Sequence, residues 1–253
     1  MATSDVAFQA YHGQGQFEGD KQPIYALFSM YPSLQHFISV DPEIKSVRDL
    51  SGKRISVGAL GSGCEILSRL IIEAAGLSYD DIQVSHYSQL EAVQAMRDRN
   101  IDVLFYNFAY PGTVVQEITK AREVWVSPGK IVQEITTVYF VPIDEDIIEK
   151  LTGEYGYYTR GVLPAGVYQG QDKEVPSIQV GNEVVINIDI EGYRAYRLVR
   201  LLFDWAYKLY DVHPVTKQLI PENGVKTSIP LHPGAEKYFE ELGGYYDFRG
   251  FYK

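Results

Sequence analysis

Hydrophobic and polar positions change period several times along the chain, and each change predicts an element. Val6, Ala7, Phe8, Ala10 and Tyr11 fit a helix that opens behind Thr3 or Ser4 as N-cap and stops at Gly13. After the polar loop GQGQFEGDKQP, Ile24 to Met30 reads as a buried strand. Tyr31 and Pro32 break it, and Leu34 to Val40 is a second extended run. Pro42 to Leu50 predicts a short helix or turn. Arg54 to Val57 is then a β-rich run that feeds the small-residue turn GALGSG and a helix opening at about Cys64. Ile66, Leu67, Leu70, Ile71, Ala74 and Ala75 give that helix its stripe, and Gly76 suits its C′ position. Ile82 to Ser85 (strand), Gln89 to Arg99 (helix, with Asn100 as a left-handed cap) and Ile101 to Phe105 (strand) continue the alternation. Such spacing argues for βαβ units and a parallel sheet, so the loop YNFAYPG after Phe105 is expected at the same sheet edge as GALGSG.

Beyond Thr113 the pattern carries a short direct repeat, VVQEIT at Val114 to Thr119 and IVQEIT at Ile131 to Thr136. Two copies are too few for a solenoid, which needs about three; a local duplication or coincidence remains. A strand over Thr137 to Val141 and a helix capped by Asp144 follow. The aromatic, glycine-rich stretch TGEYGYYTRGVLPAGVYQGQ reads as loop. Ile178 to Val180 and Val184 to Ile188 read as extended. A long helix from about Glu191 to Tyr210 is expected to bury Ala195, Leu198, Val199, Leu202, Trp205 and Leu209, and to end at His213 and Pro214. The last helix takes Pro233 in its first turn and stops at Gly243. The tail YYDFRGFYK, rich in aromatics, is expected to pack on something.

Composition narrows the function classes. The 253 residues are 45% hydrophobic and 22% charged, enough for one large core or two modest ones. A formal charge of −10 without any basic run argues against a nucleic-acid partner. No apolar run approaches the ~18 residues of a membrane span, so no direct membrane insertion is expected. One cysteine excludes an intrachain disulfide and a multi-cysteine metal site. The five histidines are scattered without ligand spacing, and P-loop, GxSxG and dinucleotide motifs are missing, so neither metal nor cofactor is expected. MATSDVAFQAYHG has neither the basic nor the apolar region of a signal peptide.

Two features carry candidate chemistry. The strand, turn and helix around GALGSGCE would point backbone N–H groups at an anion, with the positive end of the helix behind them. Its bland counterpart is a βα turn that needs small residues only for packing. Cys64 sits where a helix N-terminus can lower a thiol pKa, as a cysteine nucleophile requires. Its bland counterpart is a small buried residue at a helix start, and no histidine is marked as its base.

The segments TSDVAFQAYHGQGQF, SMYPSLQHFISV, IKSVRDLSGKRISVGALGSGCE, EAAGLSYDDI, VLPAGVYQGQDKEVPSIQVGNEVV and PLHPGAEKYFEELGG occur in order across nearly the whole of Thr3 to Gly244. In these the chain resembles the TAXI family of TRAP-transporter solute receptors. The resemblance implies the α/β type II periplasmic-binding fold, with two lobes of mixed or parallel sheets joined by two crossing strands near Phe37 and Ile178. One lobe would be 1–38 with 181–253, the other 39–180. It also implies a small carboxylate ligand, glutamate-like or a dicarboxylate, bound between the lobes, a TRAP membrane permease as partner, and a periplasmic location. Ser4 and Tyr31 would face the ligand from the first lobe. Ser62, Gly63 and Cys64 would donate to its carboxylate from the second, with Asn107, Pro111 and Tyr168 as walls.

The chain departs from the family pattern in three places. The family places a signal peptide, a first strand with a TGG-type loop, and a further helix and strand before the segment that opens this chain, so the first lobe is expected to be incomplete at its N-terminus. Cys64 stands where the family commonly has threonine. The segment between the two VQEIT copies is longer than the family pattern, as an insertion of one copy would make it. The competing readings are a cysteine-nucleophile enzyme using Cys64 and a sensory ligand-binding module on the same fold.

Overall fold

A computed structural model describes residues 1–127 and 130–243; the tail YYDFRGFYK lies outside the described residues. The elements are β1 (Ala2–Thr3), α1 (Ser4–His12), β2 (Ile24–Ser29), β3 (Ser33–Ser39), β4 (Arg54–Ser56), α2 (Gly63–Ala74), β5 (Gln83–Ser85), α3 (Gln89–Arg97) and β6 (Val103–Phe108). Next come α4 (Thr113–Thr119), β7 (Arg122–Ser127), β8 (Lys130–Glu134), β9 (Tyr139–Phe140), α5 (Glu145–Glu154), β10 (Tyr158–Leu163), β11 (Val175–Val180) and β12 (Asn182–Asn187). The chain ends with α6 (Gly192–Trp205), α7 (Pro221–Gly224) and α8 (Pro233–Gly243).

The chain forms two compact units that divide between Ser33 and Leu34 and between Gln179 and Val180. The first holds a sheet ordered β1-β12-β2, in which β12 runs antiparallel to both neighbours. Leu27 and Phe28 of β2 pack with Ala195 and Val199 of α6 and with Ala235, Tyr238 and Phe239 of α8. Apposition of α6 on α8 depends on Gly234, where a Cβ would overlap the backbone of Gly192.

The second unit holds a mixed sheet ordered β10-β11-β3-β6-β4-β5, with β9 also on β3. β4 is parallel to β5 and β6, while β3 runs antiparallel to β6. The parallel pairing sends the turn after β4 and the loop after β6 out of the same sheet edge, as the βα alternation predicts. Leu34, Ile38, Met96, Ile101, Leu104, Val114, Val115 and Ile118 form much of this unit's core.

Several boundaries differ from the sequence reading for identifiable reasons. β6 continues to Phe108, so Tyr106 and Asn107 are strand rather than loop, held by pairing of Leu34 through His36 with Tyr106 through Phe108. Arg99, not Asn100, takes the left-handed conformation after α3, with φ 55°. The glycine-rich aromatic stretch contains β10, where Tyr158, Gly161 and Leu163 are buried. The two VQEIT copies adopt different structures: the first is helical, with Val114, Val115 and Ile118 buried, and the second pairs with β7 as β8. Identical five-residue strings therefore follow their tertiary setting and not their own propensity. The expected stripe of α6 also divides: Ala195 and Val199 are buried, whereas Leu198, Trp205 and Leu209 are exposed.

Candidate functional site

The turn from β4 into α2 is shaped by glycine. Gly58 has φ 96°, and a Cβ there would lie 3.0 Å from both Cβ and Sγ of Cys64 and 3.4 Å from Oγ of Ser62. Gly61 is also left-handed, at φ 71°. His86 Nδ1 lies 3.3 Å from the Gly58 carbonyl and ties the turn to the segment after β5. Ser62 is the N-cap of α2, its Oγ accepting from the Glu65 N–H at 3.2 Å. The first turn of a helix directs its N–H groups outward along the axis, so the amides of Gly63 and Cys64 open at this end. Glu65 is a negative charge in the same turn, but Arg69 and the Tyr79 hydroxyl (3.0 Å) both donate to its buried Oε1.

Behind the turn lies a polar network that the sequence reading did not single out. The Gln35 amide donates to Ser68 Oγ at 3.2 Å and weakly to Cys64 Sγ at 3.9 Å, and it accepts from Asn107 Nδ2 at 3.0 Å. Ser68 donates to the Cys64 carbonyl at 2.7 Å, and Ser177 donates to the Gln35 carbonyl. The Cys64 thiol donates to the Phe105 carbonyl at 3.5 Å, a contact that favours the protonated thiol over a thiolate. Asn107 Oδ1 is buried without a hydrogen-bond partner. One signal in the sequence does mark the network: β3 is buried at all seven positions, yet carries Gln35 and His36. Two large polar side chains in a fully buried strand must find partners.

His36 leads to the loop after β6. Burial drives its pKa down to about 4, so the ring is neutral at neutral pH. Its Nδ1 lies 2.9 Å from the Leu34 carbonyl and must carry the proton to donate there. Nε2 is therefore the acceptor, 3.1 Å from the Tyr168 hydroxyl, which donates to it and in turn accepts from the Gly112 N–H at 2.6 Å. Burial pushes the Tyr168 phenol up to about 12. Its ring stacks on Phe140 with centroids 5.1 Å apart. Tyr168 thus spends its hydroxyl on the fold, and its ring is buried in this unit's core. The loop it braces contains Pro111, joined to Tyr110 by a cis peptide bond.

Ser62, Gly63, Cys64, Asn107, Pro111 and Tyr168 all belong to the second unit, where Gln35 links the first group to Asn107 and His36 links Tyr168 to the same strand. Ser4 and Tyr31 belong to the first unit. Ser4 is buried at the start of α1: its Oγ donates to Glu183 Oε1 at 2.8 Å, and its carbonyl accepts from Ser228 Oγ at 2.8 Å. The Tyr31 carbonyl accepts from Asn182 Nδ2 at 2.7 Å. Glu183 is fully buried, also accepts from the Ser228 N–H at 2.5 Å, and leaves Oε2 without a partner. Burial, with a contribution from the nearby Asp5 charge, raises the Glu183 pKa.

Among the described residues no cluster of three or more His, Cys, Asp or Glu side chains is arranged to hold a metal ion. No helix among them is long and apolar enough to cross a membrane.

Two α/β units, one of them built on a mixed sheet whose turn and loop edge gathers the polar groups above, make this a periplasmic-binding-protein-like fold. The chain belongs to the NMT1-like family, whose model matches residues 1–243. Among solved structures it is similar to the alkanesulfonate-binding protein SsuA from Xanthomonas axonopodis pv. citri bound to MOPS, at 14% identity over 86% of this chain and 59% of that one, with a TM-score of 0.43. A protein from Bordetella bronchiseptica RB50 is 15% identical over 96% of this chain and 63% of its own, with a TM-score of 0.45. The periplasmic sulfonate-binding protein SsuA of a putative sulfonate ABC transporter from Methylobacillus flagellatus KT is 12% identical over 90% of this chain and 62% of its own, with a TM-score of 0.36. The chain therefore spans 59% to 63% of the length of these solved chains.

Proposed function

We propose that this chain is a periplasmic solute-binding receptor of TAXI type that binds a small carboxylate, glutamate-like or a dicarboxylate, and delivers it to a TRAP permease. One observation carries the reading: the glycine turn and Ser62 cap place the N-terminus of α2 at the sheet edge to which the loop after β6 also leads. In this reading the backbone N–H groups of Gly63 and Cys64 and the Ser62 hydroxyl take the carboxylate. The helix dipole favours an anion there by about 0.3–1 kcal/mol. Asn107 Oδ1 is an acceptor suited to an N–H or O–H group of the solute, which fits an amino or hydroxy acid better than a plain fatty acid. Pro111 forms a wall, and Tyr168 braces the loop that carries it. Tyr31 keeps the role that the family resemblance gives it, whereas Ser4, buried with its hydroxyl donated to Glu183, supports its own unit instead of meeting the solute. We take Cys64 as part of the binding turn, its thiol donating to the Phe105 carbonyl.

The test is thermal shift followed by calorimetry with glutamate, glutamine, C4 and C5 dicarboxylates and, for comparison, a short alkanesulfonate. A ligand at a hundred times its Kd stabilises by about 2.7 kcal/mol, which raises Tm by several degrees. Stabilisation by one of the carboxylates is expected. A panel in which none of them raises Tm or releases heat sinks the proposal.

A further inference from the structure

Ser62, Gly63, Cys64 and Glu65 have the spacing of a capping box, in which the serine side chain accepts from the N–H three residues on and the acid there accepts from the serine N–H. Three other helical turns of the chain close this box on both sides. The Ser46 N–H donates to Asp49 at 3.0 Å, the Ser78 N–H to Asp81 at 2.8 Å and the Ser88 N–H to Glu91 at 2.9 Å. At α2 the serine half forms, Ser62 Oγ accepting from the Glu65 N–H, but the Ser62 N–H donates to the Ala59 carbonyl at 3.0 Å. The Glu65 carboxylate is turned elsewhere.

Two residues farther along the chain set its direction. Arg69, one turn on, donates to Glu65 Oε1 through Nε at 3.1 Å and also through Nη2, and the Tyr79 hydroxyl donates to the same oxygen at 3.0 Å. The guanidinium lies over the Tyr79 ring, 5.1 Å from its centroid, so the two donors brace each other. Tyr79 lies beyond the C-terminal end of α2, whereas helical side chains lean by default toward the N-terminus. Arg69 and Tyr79 thus draw the carboxylate along the helix, away from the end whose dipole would attract it. An acid tethered in the first turn is an anion at an effective concentration of about millimolar, and at that end it would compete with any anion from solution. We infer that Arg69 and Tyr79 are positioning residues that hold the Glu65 carboxylate off the N-terminus of α2 and so keep the first-turn amides for a solute anion. The benefit to a solute rests on the receptor reading; the diversion of Glu65 does not.

Solvent exchange of the Gly63 and Cys64 amide protons, measured by nitrogen-edited NMR on the full chain without solute, tests this. Arg69→Met keeps the aliphatic stem and removes the donors, and because the Arg69 side chain is 47% exposed its loss admits water to Glu65. The released carboxylate should turn back onto the helix end and slow exchange of these amides by about threefold or more. E65Q/R69M should restore the parent rates. Tyr79→Phe, which spares the packing, should slow exchange by less, and only while Glu65 is present. Circular dichroism melts check that the variants stay folded. Parent-like exchange in both R69M and Tyr79→Phe overturns the inference. So does a slowing that survives Glu65→Gln, because the Arg69 charge would then act by itself and not through Glu65. In calorimetry with glutamate, R69M should bind about threefold more weakly than the parent and E65Q/R69M should recover; unchanged binding in R69M despite slowed exchange overturns the role at the site. The exchange measurement needs no solute, so the diversion of Glu65 and the receptor reading can fail separately.

Discussion

His36 gives the sharpest energetic prediction. The chain of hydrogen bonds from the Gly112 N–H through Tyr168 to His36 Nε2, and from Nδ1–H to the Leu34 carbonyl, works only with a neutral ring. The folded pKa is about 4 against 6.5 for the free side chain, because burial penalises the imidazolium. Below pH 6.5 the unfolded chain thus binds a proton that the folded chain refuses, so stability rises with pH and falls on acidification through the window from 6.5 to about 4. Between about pH 7.5 and about pH 5 that difference amounts to about 2 kcal/mol, and it reaches about 3 kcal/mol once the window is crossed. The assay is urea unfolding at both pH values for the parent chain and for His36→Gln, followed by near-ultraviolet signals of the unit that carries Tyr168. The parent should lose about 2 kcal/mol more than His36→Gln on acidification, whatever the variant's absolute stability. Equal acid losses in the two proteins would refute the claim that a buried neutral histidine braces this loop.

Three further outcomes follow from single residues. Glu183→Gln should stabilise the chain increasingly as pH rises above the ordinary carboxylate value of 4.5: the raised folded pKa means that stability is lost with rising pH only while a carboxyl is present, and pH-dependent thermal melts read this directly. Gly58→Ala should cost about 1–2 kcal/mol from the left-handed backbone alone, with further loss from contact with Cys64, and chemical denaturation measures the sum. Ser62→Ala should weaken carboxylate binding by about fivefold, the equivalent of one hydrogen bond of ~1 kcal/mol; calorimetry on the folded variant checks it.

What could be read from the sequence was whatever has a short-range cause. α1 is legible from its spacing and Gly13, and α2 from its stripe and Gly76, whose φ of 82° places it past the helix end as expected. The edge shared by the turn after β4 and the loop after β6 followed from the alternation of strands and helices. The misses have long-range causes. β6 outran its expected end at Phe105 because β3, some seventy residues earlier, pairs with it as far as Phe108. The second VQEIT copy became a strand because β7 was there to pair with it. Along α6, hydrophobicity was visible but its destination was not: the same letters serve a core at Val199 and a surface at Leu201. Of the candidate site, Ser62, Gly63 and Cys64 stood out through their motif, whereas Gln35, His36 and Ser68 acquire meaning only when the strands are assembled and their polar atoms need partners.

The central claim is that the N-terminus of α2 receives a solute carboxylate, and the amide resonances of Gly63 and Cys64 report on it directly. In a proton–nitrogen correlation titration with glutamate or a C4–C5 dicarboxylate, both amides should shift downfield and saturate together with the calorimetric binding curve. If every carboxylate of the panel leaves these two resonances unmoved, or if only an alkanesulfonate moves them, the carboxylate-receptor account is contradicted.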